Sequence, residues 1–196
     1  MLKGKISEDR WQQAQNGELA CHVHESVEQS YKNYESAYKY YFKYLDVNSD
    51  LDGKSVIEVG PARVAALLFC KNYSKSYIVE PIAYDGVADL YKDKNIQFIR
   101  EAFEGCEIPK CDEVWLLNVL QHVKDPDAFV ETAKKSADVI RFFEPINTEI
   151  NNEHPFSFSL DDYKFYFGDC VKHYKYSGEP FHTADCAYGI YRNSSK

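Results

Sequence analysis

The residues best placed to do chemistry are two carboxylates and the tight turn between them. Ser55-Val56-Ile57-Glu58-Val59 is β-branched and apolar, reads as a buried strand, and stops at Gly60. Gly60-Pro61-Ala62-Arg63 is a turn, because Gly60 relaxes the backbone while Pro61 fixes one φ and withholds an N–H. A second apolar run, Tyr77-Ile78-Val79, ends at Glu80, 20 residues beyond Gly60. Small residues let a ligand approach the backbone, and an acid at the end of the next strand can accept both hydroxyls of a ribose. The expectation is a site for an adenosine-containing cofactor, set against a plain crossover in which Glu80 is a solvated strand end. His122 and His154 each follow a predicted strand end on the ligand-facing side, and imidazole titrates near neutrality, so either could take a proton from an acceptor. A helix cap for His122 and a rim position for His154 are the structural alternatives. Glu144 and Asn147 end a later strand and could orient an acceptor or be an exposed polar strand end.

The elements that must position these groups follow from periodicity. Val64, Leu67, Leu68 and Lys71 give a helical stripe after the turn, completing a βαβ unit. Asp85 to Tyr91 reads as a short helix, Ile96 to Ile99 as a strand, Arg100 to Gly105 as a loop with two acids, and Asp112 to Asn118 as a strand. A helix from Asp127 to Lys135 leads to a fifth strand, Asp138 to Glu144. Strands alternating with helices predict an α/β fold: a Rossmann-like, doubly wound, mostly parallel sheet with ligands at the strands' carboxyl ends. Ser159-Leu160-Asp161-Asp162 starts a helix through Phe167, and Cys170 to Tyr176 with Thr183 to Arg192, joined across Ser177-Gly178-Glu179-Pro180, predicts an antiparallel C-terminal strand pair. Residues 8–46 read as helical, opening at a Ser7 cap with Trp11, Gln15 and Glu18 at near-helical spacing. Further on, Tyr31, Tyr34, Tyr38, Tyr41 and Leu45 form a stripe that packs on the domain or stacks on a ligand.

Composition bounds the rest. With 196 residues and 44% apolar content the chain reads as one domain, residues 1–50 forming a helical cap and 51–196 an α/β core. A net charge of −8 with no dense basic run argues against a dedicated nucleic-acid or membrane surface. The six cysteines include no C-x-x-C pair and read as reduced thiols, and no signal-peptide core or spanning run is present, so a cytoplasmic location is expected. Cys21-His22-Val23-His24 contains zinc-ligand residue types, yet no second ligand cluster follows at finger-like spacing, so no metal is expected.

Taken together, a parallel five-strand unit finished by an antiparallel pair resembles the class I S-adenosylmethionine-dependent methyltransferases. Val56-Ile57-Glu58-Val59-Gly60-Pro61-Ala62-Arg63 is similar to that family's glycine-rich first motif, Glu80 sits where its ribose-binding acid sits, and Asn118-Val119-Leu120-Gln121-His122-Val123-Lys124-Asp125-Pro126 is similar to its segment after strand four. Glu153 to Ser159 resembles the loop before its penultimate helix. The resemblance spans residues 54–192 and departs from the pattern at Ala62 and Val64, which replace glycines; a β-branched Val64 could restrict the methionine moiety unless it faces helix–sheet packing. It implies S-adenosylmethionine as cofactor, with Glu58, Gly60 and Ala62 lining the methionine end, Glu80 on the ribose, Ile82 beside the adenine, and Glu101 with Ala102 near its amino group. Asn118 and Val119 would lie beneath the cofactor, and Trp11 with Gln15 resemble an N-terminal segment that folds over it as a lid. The implied reaction is methyl transfer to a small-molecule acceptor, with His122 or His154 as base where the acceptor carries a proton. A non-catalytic cofactor-binding protein and a nicotinamide-dependent dehydrogenase are the rival readings. Against the dehydrogenase, the chain lacks G-x-G-x-x-G and any Tyr followed four positions later by Lys.

Overall fold

A computed structural model describes residues 2–22, 26–92, 94–177 and 184–193. Gly178 to Pro180 of the hairpin connection, Thr183, Val23, His24 and the side chain of His22 lie outside the described residues. Seven strands form one sheet: β1 (Val56–Val59), β2 (Ser76–Val79), β3 (Ile96–Ile99), β4 (Cys111–Leu117), β5 (Ala137–Pro145), β6 (Lys172–Tyr174) and β7 (Cys186–Arg192). Their spatial order is β3-β2-β1-β4-β5-β7-β6. The first five are parallel, and β7 runs antiparallel between β5 and β6. Winding reverses between β1 and β4, which opens a crevice outside the carboxyl ends of the neighbouring strands.

Residue alternation divides the two faces. Ile57, Val59, Val114, Leu116, Ile140 and Phe142 pack under α3 (Pro126–Ser136) and α4 (Leu160–Phe167). Local signals start both helices: Asp125 accepts from the Ala128 N–H at 3.0 Å, and Ser159 with Asp162 forms a reciprocal capping box. Val56, Ile78, Trp115 and Phe143 face the other way, under α2 (Val27–Tyr44), which follows α1 (Glu8–His22) in the chain. The α2 stripe does pack: Tyr38, Tyr41 and Leu45 are buried, with Tyr41 edge-on to Phe143 at 5.2 Å and Phe42 edge-on to Trp115 at 5.8 Å.

The helix expected over Val64 to Lys71 is not there. A single 3₁₀ turn, Ala66–Phe69, occupies that crossover, and another, Ala88–Tyr91, occupies the next. Val64, Ala65, Ala66 and Leu67 are all fully buried, so this segment has no solvent face to complete an amphipathic helix. Extended backbone at Ala65 and Cys70 bounds the turn, and α2 lies over it, the Tyr38 hydroxyl donating to the Val64 carbonyl. The N-terminal helix thus fills the layer that a longer crossover helix would have taken.

One ion pair holds α2 in register. Arg141 on β5 donates through Nε and Nη2 to both oxygens of Glu113 on β4, at 2.6 and 3.0 Å, and through Nη1 to the carbonyl of Leu45 at the end of α2. A cation at a helix C-terminus also meets the negative end of the helix dipole. Burial opposes ionisation of Glu113, but the bonds from Arg141 and Trp115 outweigh it and hold the carboxyl at about 2. None of the described helices is long and apolar enough to cross a membrane.

Arg141→Met leaves Glu113 with Lys54 and Trp115 and should cost about 3 kcal/mol in urea unfolding. Because the folded value lies below the ordinary 4.5, the pair stabilises fully above that pH and the contribution is lost as pH falls toward about 2. Urea midpoints should drop across this window, and drop less in the variant.

Candidate active site

Where β1 and β2 end, the Glu80 side chain joins the two loops. Its Oε2 accepts from the Ala62 N–H at 3.0 Å and its Oε1 from the Ile82 N–H at 2.9 Å, while its own N–H is held by the Ile99 carbonyl. The carboxylate is 3% exposed and forms part of the wall of a cavity of about 360 Å³. That volume falls in the ~300–1,000 Å³ range of small-molecule sites. An ionised carboxylate has about four lone-pair positions and can accept from several donors at once.

The glycine turn forms the floor. Gly60 has φ +63°, and a Cβ there would overlap Val119 Cγ2, so only glycine fits. Ala62 also adopts the left-handed region, at φ +54°. Val64 does not line the cavity; it is fully buried in the packing beneath α2, which removes the anticipated restriction. Glu58 is in the wall, but its oxygens accept from the Ala66 and Leu67 N–H groups at 2.7 and 2.8 Å and cap the 3₁₀ turn. Burial pushes its carboxyl up to about 7 against the pull of those bonds.

The cavity brings together Trp11, Gln15, Glu58, Gly60, Ala62, Glu80, Ile82, Ala102, Asn118, Val119 and His122. Two expected residues stand outside its wall. Glu101 is exposed, and Glu104 takes its place in the lining, drawn inward by the Lys124 and Asp125 N–H groups at 2.7 and 3.2 Å. His154 lies behind His122, edge-on with ring centroids 4.7 Å apart. Glu144 is neither exposed nor facing an acceptor. It is 1% exposed, accepts from the Val119 and Leu120 N–H groups, and is pushed up to about 8 by burial. Asn147 is exposed and lies outside the lining.

Alternation along α1 turns Trp11, Gln15 and Glu18 toward the cavity as one face. Glu18 was visible in that spacing, though not as a site residue. Lys124 bonds Glu8 and lies over the Trp11 ring at 5.6 Å, and Arg10 donates to the carbonyls of Asn151 and Asn152, so α1 is fastened over the opening. The Gln15 Oε1 atom is buried with no hydrogen-bond partner among the described residues. The α2 tyrosines Tyr34, Tyr38 and Tyr41 also reach the wall, so the stripe serves packing and lining at once.

His122 is held on both sides. Nδ1 lies 3.2 Å from the Glu153 carbonyl and 3.6 Å from Glu18 Oε2, and Nε2 lies 3.2 Å from the Gln121 amide nitrogen. That amide nitrogen also donates to Asn118 Oδ1 at 3.1 Å. These contacts suit an imidazole that donates from Nδ1 to the carbonyl and accepts at Nε2 from the amide. Burial lowers its pKa, Glu18 acts to raise it, and His154 lowers it again. No group of three or more His, Cys, Asp or Glu side chains able to hold a metal occurs among the described residues.

No family model matches the chain, and its sequence matches no curated protein. Solved structures do resemble it. The N-methyltransferase NodS from Bradyrhizobium japonicum WM9, in complex with S-adenosyl-L-homocysteine, aligns with a TM-score of 0.64 at 12% identity over 96% of this chain and 100% of that one. The 1,6-didemethyltoxoflavin-N1-methyltransferase of Burkholderia thailandensis, with 1,6-didemethyltoxoflavin and S-adenosylhomocysteine, aligns with a TM-score of 0.61 at 10% identity over 95% and 90% of the two chains. The fold is the Rossmann-like fold of these methyltransferases, with its antiparallel C-terminal strands.

Two substitutions test the floor. Gly60→Ala forces a left-handed alanine, about 1–2 kcal/mol, and an overlap with Val119, about 1–3 kcal/mol. A stability loss of about 2–5 kcal/mol is expected in denaturant unfolding. Ala62→Gly relieves its left-handed backbone and should gain up to about 1 kcal/mol after the entropy of the freer unfolded chain is subtracted.

Proposed function

We propose that the chain binds S-adenosylmethionine in this cavity and transfers its methyl group to a small-molecule acceptor. The observation that carries the reading is Glu80, a buried carboxylate at the end of β2 that faces a ligand-sized cavity beside a turn only glycine can make. Support comes from residue chemistry. Glu80 would accept the ribose hydroxyls, and Ile82 and Ala102 would flank the adenine. Gly60 and Ala62 would leave room for the thioether chain, with Asn118 and Val119 beneath it. Gln15 Oε1, buried without a partner, would take an N–H from the amino-acid end. Among the described residues no Lys or Arg lines the cavity, so the carboxylate of that end would rely on neutral donors such as the Trp11 indole.

The bound cofactor supplies an activated methyl on sulfur. The protein's part is to align acceptor, methyl and sulfur and to exclude water, because a neutral thioether leaves without help. The α1 face and the α2 tyrosines form the roof that does the excluding. The two aligned methyltransferases carry S-adenosylhomocysteine and are named for transfer to nitrogen, and the one that also holds 1,6-didemethyltoxoflavin agrees with a small acceptor here. A cytoplasmic protein that needs no metal fits the same reading.

Calorimetry tests the first step. S-Adenosylhomocysteine should bind in the micromolar range, and no heat at that range removes the proposal. Glu80→Ala, compared at a temperature where both proteins are folded, should bind at least about tenfold more weakly, since hydrogen bonds to a charged group contribute roughly 1.5–3 kcal/mol each.

A further inference from the structure

We propose that the methyl acceptor is a flat aromatic compound without negative charge, seated against α2 in the gap that Ala37 leaves between Tyr34 and Tyr41. The inference rests on the methyl-transfer reading of the same cavity and adds the class of acceptor that the α2 wall selects.

The cofactor reading uses the loops of the sheet with Trp11 and Gln15 of α1, and it leaves the α2 side of the cavity without an occupant. Tyr34, Ala37, Tyr38 and Tyr41 all line that side. At i, i+3, i+4 and i+7 they form one face of the helix, with Ala37 between Tyr34 in the turn before and Tyr41 in the turn after. Three of the four positions carry rings, and the fourth carries only a methyl group. The rings are held by their surroundings: Tyr38 donates its hydroxyl to the Val64 carbonyl and stacks with Tyr34 at 5.7 Å, and Tyr41 lies edge-on to Phe143 at 5.2 Å. Ala37 is only half-buried, although Tyr38 and Tyr41 beside it are buried, so the face has a gap at this one position.

The gap adjoins the place from which the methyl group would leave. Leu117, which ends β4 immediately before Asn118, lines the cavity and packs against the cluster that contains Tyr41. Burial first, and then the nearby Glu144 carboxylate, keep the Tyr41 phenol well above its ordinary range. Glu144 is also the group that holds the Val119 and Leu120 amides, so Tyr41 stands by the same loop that would lie beneath the cofactor.

What such a wall takes follows from its chemistry. Tyrosine faces and edges receive an aromatic ring in offset or edge-on contact, an attraction that a saturated ring of the same size does not share. Negative charge is turned away. Among the described residues the cavity is lined by Glu18, Glu58, Glu80 and Glu104 and by no Lys or Arg, so an acceptor carboxylate or phosphate would lose its water without gaining a cation. The α2 rings thus set the shape of the acceptor, and the carboxylates of the wall limit its charge.

The test titrates 2-phenylethanol, 2-cyclohexylethanol and phenylacetate by calorimetry into protein saturated with S-adenosylhomocysteine, so that the nucleoside position is already filled. 2-Phenylethanol should bind at least about threefold more tightly than 2-cyclohexylethanol and at least about tenfold more tightly than phenylacetate. Ala37→Leu fills the gap with another good helix former. It should weaken 2-phenylethanol at least about tenfold while S-adenosylhomocysteine binds within about twofold of wild type. Ala37→Met fills the same gap with a flexible side chain and replaces the leucine variant if that one does not fold. Equal or tighter binding of the saturated or anionic probe, 2-phenylethanol affinity that survives in the variant, a matching loss of S-adenosylhomocysteine in a folded variant, or no binding of any probe overturns the inference. Failure of S-adenosylhomocysteine to bind the wild-type protein is seen before any probe is added, and it overturns the donor reading instead.

Discussion

A single side chain fixes the geometry of the crevice. Glu80 spans from the end of its own strand to the Ala62 N–H of the neighbouring loop, so the spacing of the two loops is set by one carboxylate. Removing it would leave two inward-facing amides without partners, each a cost of about 1–3 kcal/mol where buried. The same bonds keep the carboxylate from turning away from the cavity. Structure and proposed recognition therefore share one group, as expected where a buried acid has lone pairs for both tasks.

Around this point the molecule uses its helices unequally. On one face α3 and α4 cover the sheet in the ordinary way, by apolar packing. On the other, the crossovers shrink to 3₁₀ turns and α2 lies over the first of them, its end held to the sheet by the Arg141–Glu113 pair. That substitution has a functional consequence. The helix that fills the missing layer also brings Tyr34, Tyr38 and Tyr41 to the cavity, and α1, leading into it, brings Trp11, Gln15 and Glu18. The roof of the site is thus made by the segment of chain that precedes the sheet, and the floor by the loops of the sheet itself.

The strands were legible because β-branched, mostly apolar runs such as Val56–Val59 leave little alternative, and the starts of α3 and α4 were legible because Asp125 and Ser159 cap by local chemistry. The segment from Val64 to Leu67 was not, since its apolar spacing suits a helix equally well and its burial on all sides comes from a helix far away in sequence. For the site, positions fixed by backbone geometry were readable: Gly60 by its turn, Glu80 by its strand end. Side-chain direction was not. Glu101 and Glu104 are both acids in one loop, and only the amides of Lys124 and Asp125 decide which turns inward. The Glu144 carboxylate likewise reads as a polar strand end until the Val119 and Leu120 amides are seen to hold it inside.

The claim on which everything else rests is that the carboxylate ending β2 grips a ribose. Removing the sugar's hydroxyls asks this without disturbing the protein. 5′-Methylthioadenosine should bind at least tenfold more tightly than its 2′,3′-dideoxy analogue in side-by-side calorimetry, since each hydroxyl lost takes away a charge-assisted hydrogen bond. Equal affinity for the two nucleosides would contradict it.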